Sequence, residues 1–248
     1  MTLKAQDIVH ICADLHLFPT DNIDGLRIWG QDFQKGQHVV ILGDLFESWI
    51  ENYWSWDCRY GEVLSLFKEW NHLGIHLHLI MGNRDILAGR QLCQQTGLIL
   101  HPGPLLLESA GHKLWLVHGD ELLPDDISYQ RFKLWVRHPV SRFLLHSLPL
   151  EILKKCAGQA REKSIKKTSQ MSEGQFKINA RLLMALMHQE CCFDILAGHL
   201  HKNMEFTQNH EGKSVRIRIL QQSHGDYVYP LIWSMGEFQR SLCCKAEK

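Results

Sequence analysis

The segment IVHICADLHL, residues 8–17, sets the pattern from which the rest of the chain is read. An apolar, β-branched run, Ile8 to Cys12, ends in Asp14-Leu15-His16. The same grammar recurs downstream. Val39 to Leu42 leads into Gly43-Asp44, and Leu77 to Met81 leads into Gly82-Asn83-Arg84-Asp85. Lys113 to Val117 delivers His118-Gly119-Asp120, and Phe193 to Ala197 delivers Gly198-His199-Leu200-His201. Strands that each end in a carboxylate, imidazole or amide place those groups along one edge of a sheet, where open α/β folds keep their chemistry. The donors are Asp, His and Asn, without thiolate. That set suits Mn²⁺, Fe²⁺ or Zn²⁺ at a catalytic site rather than a structural zinc. Two cations about 3.5–4 Å apart share a bridging carboxylate and activate water against a phosphoryl group. Asp44, between the Asp-x-His and Asn segments, is the natural bridge.

Around this pattern the chain alternates strands with helical stretches, expected at about 59–73, 87–95 and 175–189. Such alternation predicts an α/β fold with a largely parallel sheet and right-handed crossovers. Beyond Gly198, Met204–Gln208, Ser214–Gln221 and Tyr227–Trp233 read as three strands of an antiparallel second sheet. Ser241 to Lys248 reads as a frayed tail. At 248 residues, 45% apolar and 22% charged, the composition is that of an ordinary globular protein. Its formal charge of zero gives no global reason to expect nucleic acid. The eight cysteines contain no C-x-x-C, and the adjacent pairs Cys191-Cys192 and Cys243-Cys244 are poor disulfide partners. No signal-peptide pattern stands at the N-terminus, and no run of 18 apolar residues exists, so a reducing cytoplasm is the expected setting. Sixteen histidines are present. Those outside the motifs, such as His72, His76, His78 and His188, read as surface or packing residues.

The segment from Ile127 to about Thr168 breaks the rhythm. Between Arg131 and Lys167 ten basic residues oppose only Glu151 and Glu162, leaving about eight positive charges. Interleaved are Phe132, Leu134, Trp135, Val136, Phe143, Leu144 and Leu148. A basic amphipathic stretch of this kind suits an anionic membrane surface. It equally describes a helical cap with a solvated basic face, and lysines and arginines that bind nucleic-acid phosphates look the same in sequence.

The order Asp-x-His, Gly-Asp, Gly-Asn-x-Asp, His, Gly-His-x-His resembles the signature of calcineurin-like metallophosphoesterases. The wording ADLHL, ILGDLFESWI, GNRD, HGDELLPDDISYQRF and GHLHK is similar to the branch comprising UDP-2,3-diacylglucosamine diphosphatases of bacterial lipid A synthesis. The resemblance spans about residues 8 to 202. It implies a four-layer αββα sandwich in one domain over 1–248, with a helical lid at about 127–168 that encloses acyl chains. It implies that Asp14, His16, Asp44 and His201 hold one metal, most suitably Mn²⁺, and that Asp44, Asn83, His118 and His199 hold the other. Catalytic roles fall on Asp44, Asn83, Arg84, His118 and His199. Substrate contacts fall on Asn83, Arg84, Asp126, Ser164, Thr168, Met171 and His199.

The implied partners are a lipid-linked nucleotide-sugar substrate and an anionic membrane surface, on the cytoplasmic face of the bacterial inner membrane. No nucleic acid and no protein partner are implied. Met171 departs from the lysine expected there, Leu200 and Lys202 depart from Thr and Arg, and the C-terminal forty-odd residues match poorly. Many members of the wider family have histidine where this chain has Arg84. Guanidinium keeps its protons at working pH, so Arg84 is expected to clamp phosphate oxygens rather than act as an acid, unless it pairs with Asp85 or Asp120. That favours a phosphoanhydride, whose leaving group needs little protonation. Asp85 and Asp120 are candidates either to orient histidines or to cap strand ends, and Asp125-Asp126 could cap a helix. Competing functions are hydrolysis of another nucleotide or nucleotide-sugar and a non-catalytic membrane-surface module.

Overall fold

The structure, a computed structural model, describes residues 1–4, 7–19, 21–47, 49, 60–85, 87–120, 135–136, 138, 140–141, 144, 192–210, 212–240 and 244–245. Two sheets carry it. The first runs, edge to edge, β12 Glu237–Arg240, β11 Leu231–Ser234, β1 Ile8–Cys12, β2 His38–Ile41, β3 His76–Ile80 and β4 Ile99–His101, the last four parallel to one another. The second runs β5-β6-β7-β9-β8, from β5 Leu105–Ser109, β6 His112–Val117, β7 Asp194–Ala197, β8 Met204–His210 and β9 Lys213–Ile219. Three helices, α1 Asp24–Gly30, α2 Gly61–His72 and α3 Arg90–Thr96, link the strands of the first sheet.

Side-chain alternation along the strands sorts the core into layers. From the first sheet, Cys12, Val39, Ile41, Leu77 and Leu79 pack with Leu26, Trp29, Leu64, Phe67, Trp70 and Leu92 of the helices. Val63, Leu64, Phe67 and Trp70 of α2 recur at helical spacing, which gives that helix its buried stripe. The opposite face of the same sheet offers Val9, Ile11, Val40, Ile80 and Trp233 to Leu107, Leu114, Leu116 and Leu196 of the second sheet. The outer face of the second sheet carries its own apolar cluster, including Val117, Ile195, Ala197, Val215, Ile217 and Ile219. Helix, sheet, sheet and a further apolar face follow the αββα order. The helix expected over 175–189 and most of the 127–168 insertion lie outside the described residues.

Three expectations need correction. The C-terminal strands do not form an antiparallel sheet of their own. The β8–β9 hairpin completes the second sheet, where β9 pairs parallel with β7. Tyr227–Trp233 is not one strand: it divides at Tyr229-Pro230, where proline has no N–H for a ladder, into β10 Tyr227–Val228 and β11 Leu231–Ser234. β11 joins the first sheet antiparallel to β1, followed by β12 Glu237–Arg240. The tail is tied in part, since β13 Cys244–Lys245 pairs with β10. Strands β4, β5 and β12 and helix α1 add to the expected elements. Among the described residues no helix is long and apolar enough to cross a membrane.

Candidate metal centre

The C-terminal ends of β1, β2, β3, β6 and β7 meet at one edge of the paired sheets, and main-chain hydrogen bonds lock their loops together. Asp14 N donates to Gly43 O (3.3 Å), His16 N to Asp44 O (2.8 Å) and Gly198 N to His118 O (2.7 Å). Five residues of these loops, Asp14, His16, Asp44, His199 and His201, have positive φ. Left-handed backbone at a non-glycine residue costs of order 1–3 kcal/mol and persists where its surroundings enforce it, typically at functional sites. The other two described non-glycine cases, Ala110 and Met235, sit in the tight β5–β6 and β11–β12 turns. Glycine is required beside the cluster. A Cβ at Gly82 would strike the Asp44 carboxylate, and one at Gly43, itself at φ +80°, would strike the His118 ring.

The loops assemble two groups of donors that could each hold a cation: Asp14, His16 and His201, and Asp44, His118 and His199. All are buried except His201, which is exposed. His16 Nε2 lies 3.1 Å from His201 Nε2 and 3.7 Å from Asp44 Oδ2. His118 Nε2 lies 3.1 Å from His199 Nδ1 and 3.6 Å from Asp44 Oδ1. Asp44 thus turns one oxygen toward each group. His118 Nδ1 donates to Leu42 O at 2.8 Å, which leaves its Nε2 a lone pair aimed into the cluster. Asn83 adds an amide 3.0 Å from that nitrogen. With its nitrogen turned inward instead, Asn83 would donate to Asp44 Oδ2 at 2.9 Å and to His118 Nε2 at 3.0 Å. With its oxygen inward, the Asn83 Oδ1 faces the His118 Nε2 lone pair and the Asp44 carboxylate, acceptor against acceptor, an arrangement that calls for a cation. Asp14 fits the same logic: Oδ2 accepts His199 N at 2.6 Å, while buried Oδ1 has no hydrogen-bond partner among the described residues.

The electrostatics prepare these groups as ligands. Burial, then the nearby His118, pushes the His199 imidazole down to about 3. Although the residue as a whole is exposed, the His201 ring end at the cluster is desolvated, and that, then His16, lowers it to about 4. Both are therefore neutral donors near pH 7. Burial opposes ionisation of Asp44, but His118, His16, His199 and the Arg84 N–H outweigh it and hold the carboxyl below its ordinary range. Burial raises Asp14 to about 7, against the pull of His118, with Asp44 adding to the rise. A cation between these two carboxylates removes the repulsion that disfavours ionising both.

Arg84 sits beside the cluster with its side chain 12% exposed. Nη1 is 3.3 Å from Glu47 Oε1 and Nε is 3.9 Å from Asp44 Oδ2. Asp85 is buried, and among the described residues its carboxylate makes no ion pair with Arg84 and no hydrogen bond to a histidine. It accepts main-chain N–H groups from Leu45 (3.2 Å), Phe46 (3.4 Å) and Gly82 (3.4 Å), fastening the loop after β2 to the loop after β3. Asp120 is buried and its charge acts on His199. Asp126, Ser164, Thr168 and Met171 lie outside the described residues. Glu47 was missed from sequence, although it lies three residues beyond Asp44 in the same motif.

No protein-family model matches the chain. Two relatives named UDP-2,3-diacylglucosamine hydrolase, from Escherichia coli O7:K1 (strain IAI39 / ExPEC) and Serratia proteamaculans (strain 568), are each 31% identical over 193 residues. Each alignment covers 77% of this chain and 80% of the relative. Among solved structures, Vacuolar Protein Sorting 29 from Cryptosporidium parvum is 14% identical, with 95% of this chain and 96% of that chain covered and a TM-score of 0.41.

Proposed function

The chain belongs to the UDP-2,3-diacylglucosamine hydrolase family, and on that premise we propose that it cleaves the pyrophosphate bond of UDP-2,3-diacylglucosamine to UMP and 2,3-diacylglucosamine 1-phosphate. The observation that carries this reading is the convergence of two donor groups on one buried carboxylate, Asp44, with a guanidinium alongside. Bound there, a pair of divalent cations supplies an activated water and neutralises charge on the phosphoryl oxygens. Asp14, His16 and His201 would hold one, Asn83, His118 and His199 the other, and Asp44 both. The Asp, His and Asn set suits Mn²⁺.

The protein's own groups do the positioning. Arg84 offers a planar fork to two phosphoryl oxygens, where phosphoryl transfer gains most from charge stabilisation. It has no proton to give at neutral pH, and neutral His199 and His201 are poor acids there. A centre short of a general acid is best matched to a phosphate leaving group, which is the one a pyrophosphate provides.

The basic, apolar insertion is assigned to the acyl chains and to an anionic bilayer on the cytoplasmic face of the inner membrane. Its exposed Trp135, Val140 and Leu144, at 53%, 59% and 55%, support that assignment. The test is incubation of the Mn²⁺-loaded protein with UDP-2,3-diacylglucosamine in mixed detergent micelles, with UMP quantified by chromatography. UMP release that depends on metal supports the proposal. Hydrolysis of a soluble nucleotide-sugar without release of UMP from the lipid substrate would overturn it.

A further inference from the structure

The loop after β2 places a third carboxylate against the centre. Leu17 and Phe46 form a parallel β-bridge, with Leu17 N donating to Leu45 O at 3.0 Å and Glu47 N to Leu17 O at 3.0 Å. This short ladder continues the β1–β2 pairing beyond Asp14 and Asp44. It holds Glu47 beside His16, and the residue is 9% exposed. The Glu47 carboxylate divides its oxygens. Oε2 lies 3.5 Å from His16 Nδ1, on the side of the ring away from the cluster, and Oε1 lies 3.3 Å from Arg84 Nη1. His118, the corresponding imidazole of the other donor group, donates Nδ1–H to a main-chain carbonyl, Leu42 O, at 2.8 Å; the carboxylate near that nitrogen, Asp14 Oδ1 at 3.8 Å, belongs to a donor of the first group and not to a residue outside both.

From this asymmetry we propose that Glu47 is a positioning residue that orients His16 toward its cation and Arg84 toward substrate phosphate, so that one side chain couples the first metal site to the phosphate clamp. The inference rests on the metal-centre reading above but not on the identity of the substrate. A carboxylate behind a ligating imidazole fixes its tautomer and raises its basicity. Losing such a partner typically weakens metal binding about 10–100-fold. The same carboxylate holds an otherwise flexible guanidinium in one pose, which lowers the entropy lost when phosphate binds.

The test uses the full chain, stripped of metal and titrated with Mn²⁺ against a chelating dye. His16→Ala identifies which of the two binding steps belongs to the first site. Glu47→Gln, nearly the same shape, should weaken that step about tenfold or more and leave the other within about twofold. It should also raise KM for the pyrophosphate substrate more than it lowers kcat at saturating Mn²⁺. Glu47→Asp should recover part of the metal affinity. Arg84→Ala is an independent arm that does not alter Glu47: it should leave the first Mn²⁺ step unchanged or tighter, since the carboxylate then serves His16 alone. Equal weakening of both steps together with a lowered Tm would make Glu47 merely structural. Unchanged affinities in Glu47→Gln, or a weakened first step in Arg84→Ala, would overturn the proposal. If the lipid substrate is not cleaved at all, the metal titrations still decide it.

Discussion

Among the described residues, two clusters of histidine stand on the same β-sheet framework, and only one gathers carboxylates with its imidazoles as a cation site would need. At the C-terminal edge, His16 meets His201 and His118 meets His199, each pair with nitrogens 3.1 Å apart. Across β2, β3 and β4, His38 Nδ1 lies 3.2 Å from His78 Nε2, and His78 Nδ1 lies 3.0 Å from His101 Nε2. By distance alone the two are indistinguishable. Their surroundings separate them. The edge cluster has Asp14, Asp44 and Glu47 within 4 Å of its imidazoles, and five of its donor residues, Asp14, His16, Asp44, His199 and His201, are bent into left-handed backbone that turns them toward one another. The row lies within regular strands, where each ring can donate to the next and accept from the one before, so its nitrogens satisfy one another. Imidazole proximity therefore does not make a metal site. Carboxylates that need neutralising, and a backbone that turns several donors toward one point, do.

The largest effect expected from breaking this contrast is at Asp44. Asp44→Ala removes the carboxylate shared by both donor groups. It should release both metals and lower turnover at least about a thousandfold, because bound cations contribute several kcal/mol to the transition state. Metal analysis that still finds two equivalents bound would refute the shared role.

A sharper comparison pits one imidazole of each cluster against the other. His16→Ala should cut bound Mn²⁺ from about two equivalents to about one, as expected of a two-metal centre. His78→Ala should leave it at about two, and a loss of metal there would mean that the row is a third site.

The smallest effect is the row's own. Burial, then His101 and His38, lowers His78 to about 3, and burial also lowers His38 and His101. An unfolded histidine titrates near about 6.5. Between about 6.5 and 3 the unfolded chain thus binds a proton that folded His78 refuses. The contribution is intact above about pH 6.5 and is lost as pH falls, at up to about 1.4 kcal/mol per pH unit for His78. His78→Gln keeps a donor and an acceptor but does not titrate. In chelator, its urea midpoint should fall less steeply from pH 7 to 4.5 than that of the parent. Parallel slopes would show that the row does not govern acid stability.

Sequence and structure agree best where information is local. Runs of Val, Ile and Leu that end in Asp, Asn or His can be read residue by residue, and β1, β2, β3, β6 and β7 stand where those runs lie. Non-local pairing was harder to see. β11 lies more than 200 residues after β1 and pairs with it antiparallel, and nothing in Leu231–Ser234 names its partner. β4, three residues long, takes its strand character from its neighbour, and β5 alternates in burial although its sequence, LLLES, does not alternate in polarity. Glu47 illustrates the same limit within the site. Its position three residues after Asp44 has no strand or helix periodicity to interpret, and its role appears only once the Leu17–Phe46 bridge sets it beside His16.

The sequence by itself determined which donors exist, their order along the chain and the strand ends that carry them, because β-propensity and side-chain chemistry are properties of short segments. Only the tertiary structure decided how closely those donors approach one another, that His38, His78 and His101 form a row of their own, which oxygen of Asp44 faces which group, and what stands behind His16. Those relations depend on left-handed turns and on contacts between residues up to 185 positions apart, and they arise when the two sheets pack and bring five loops to one edge.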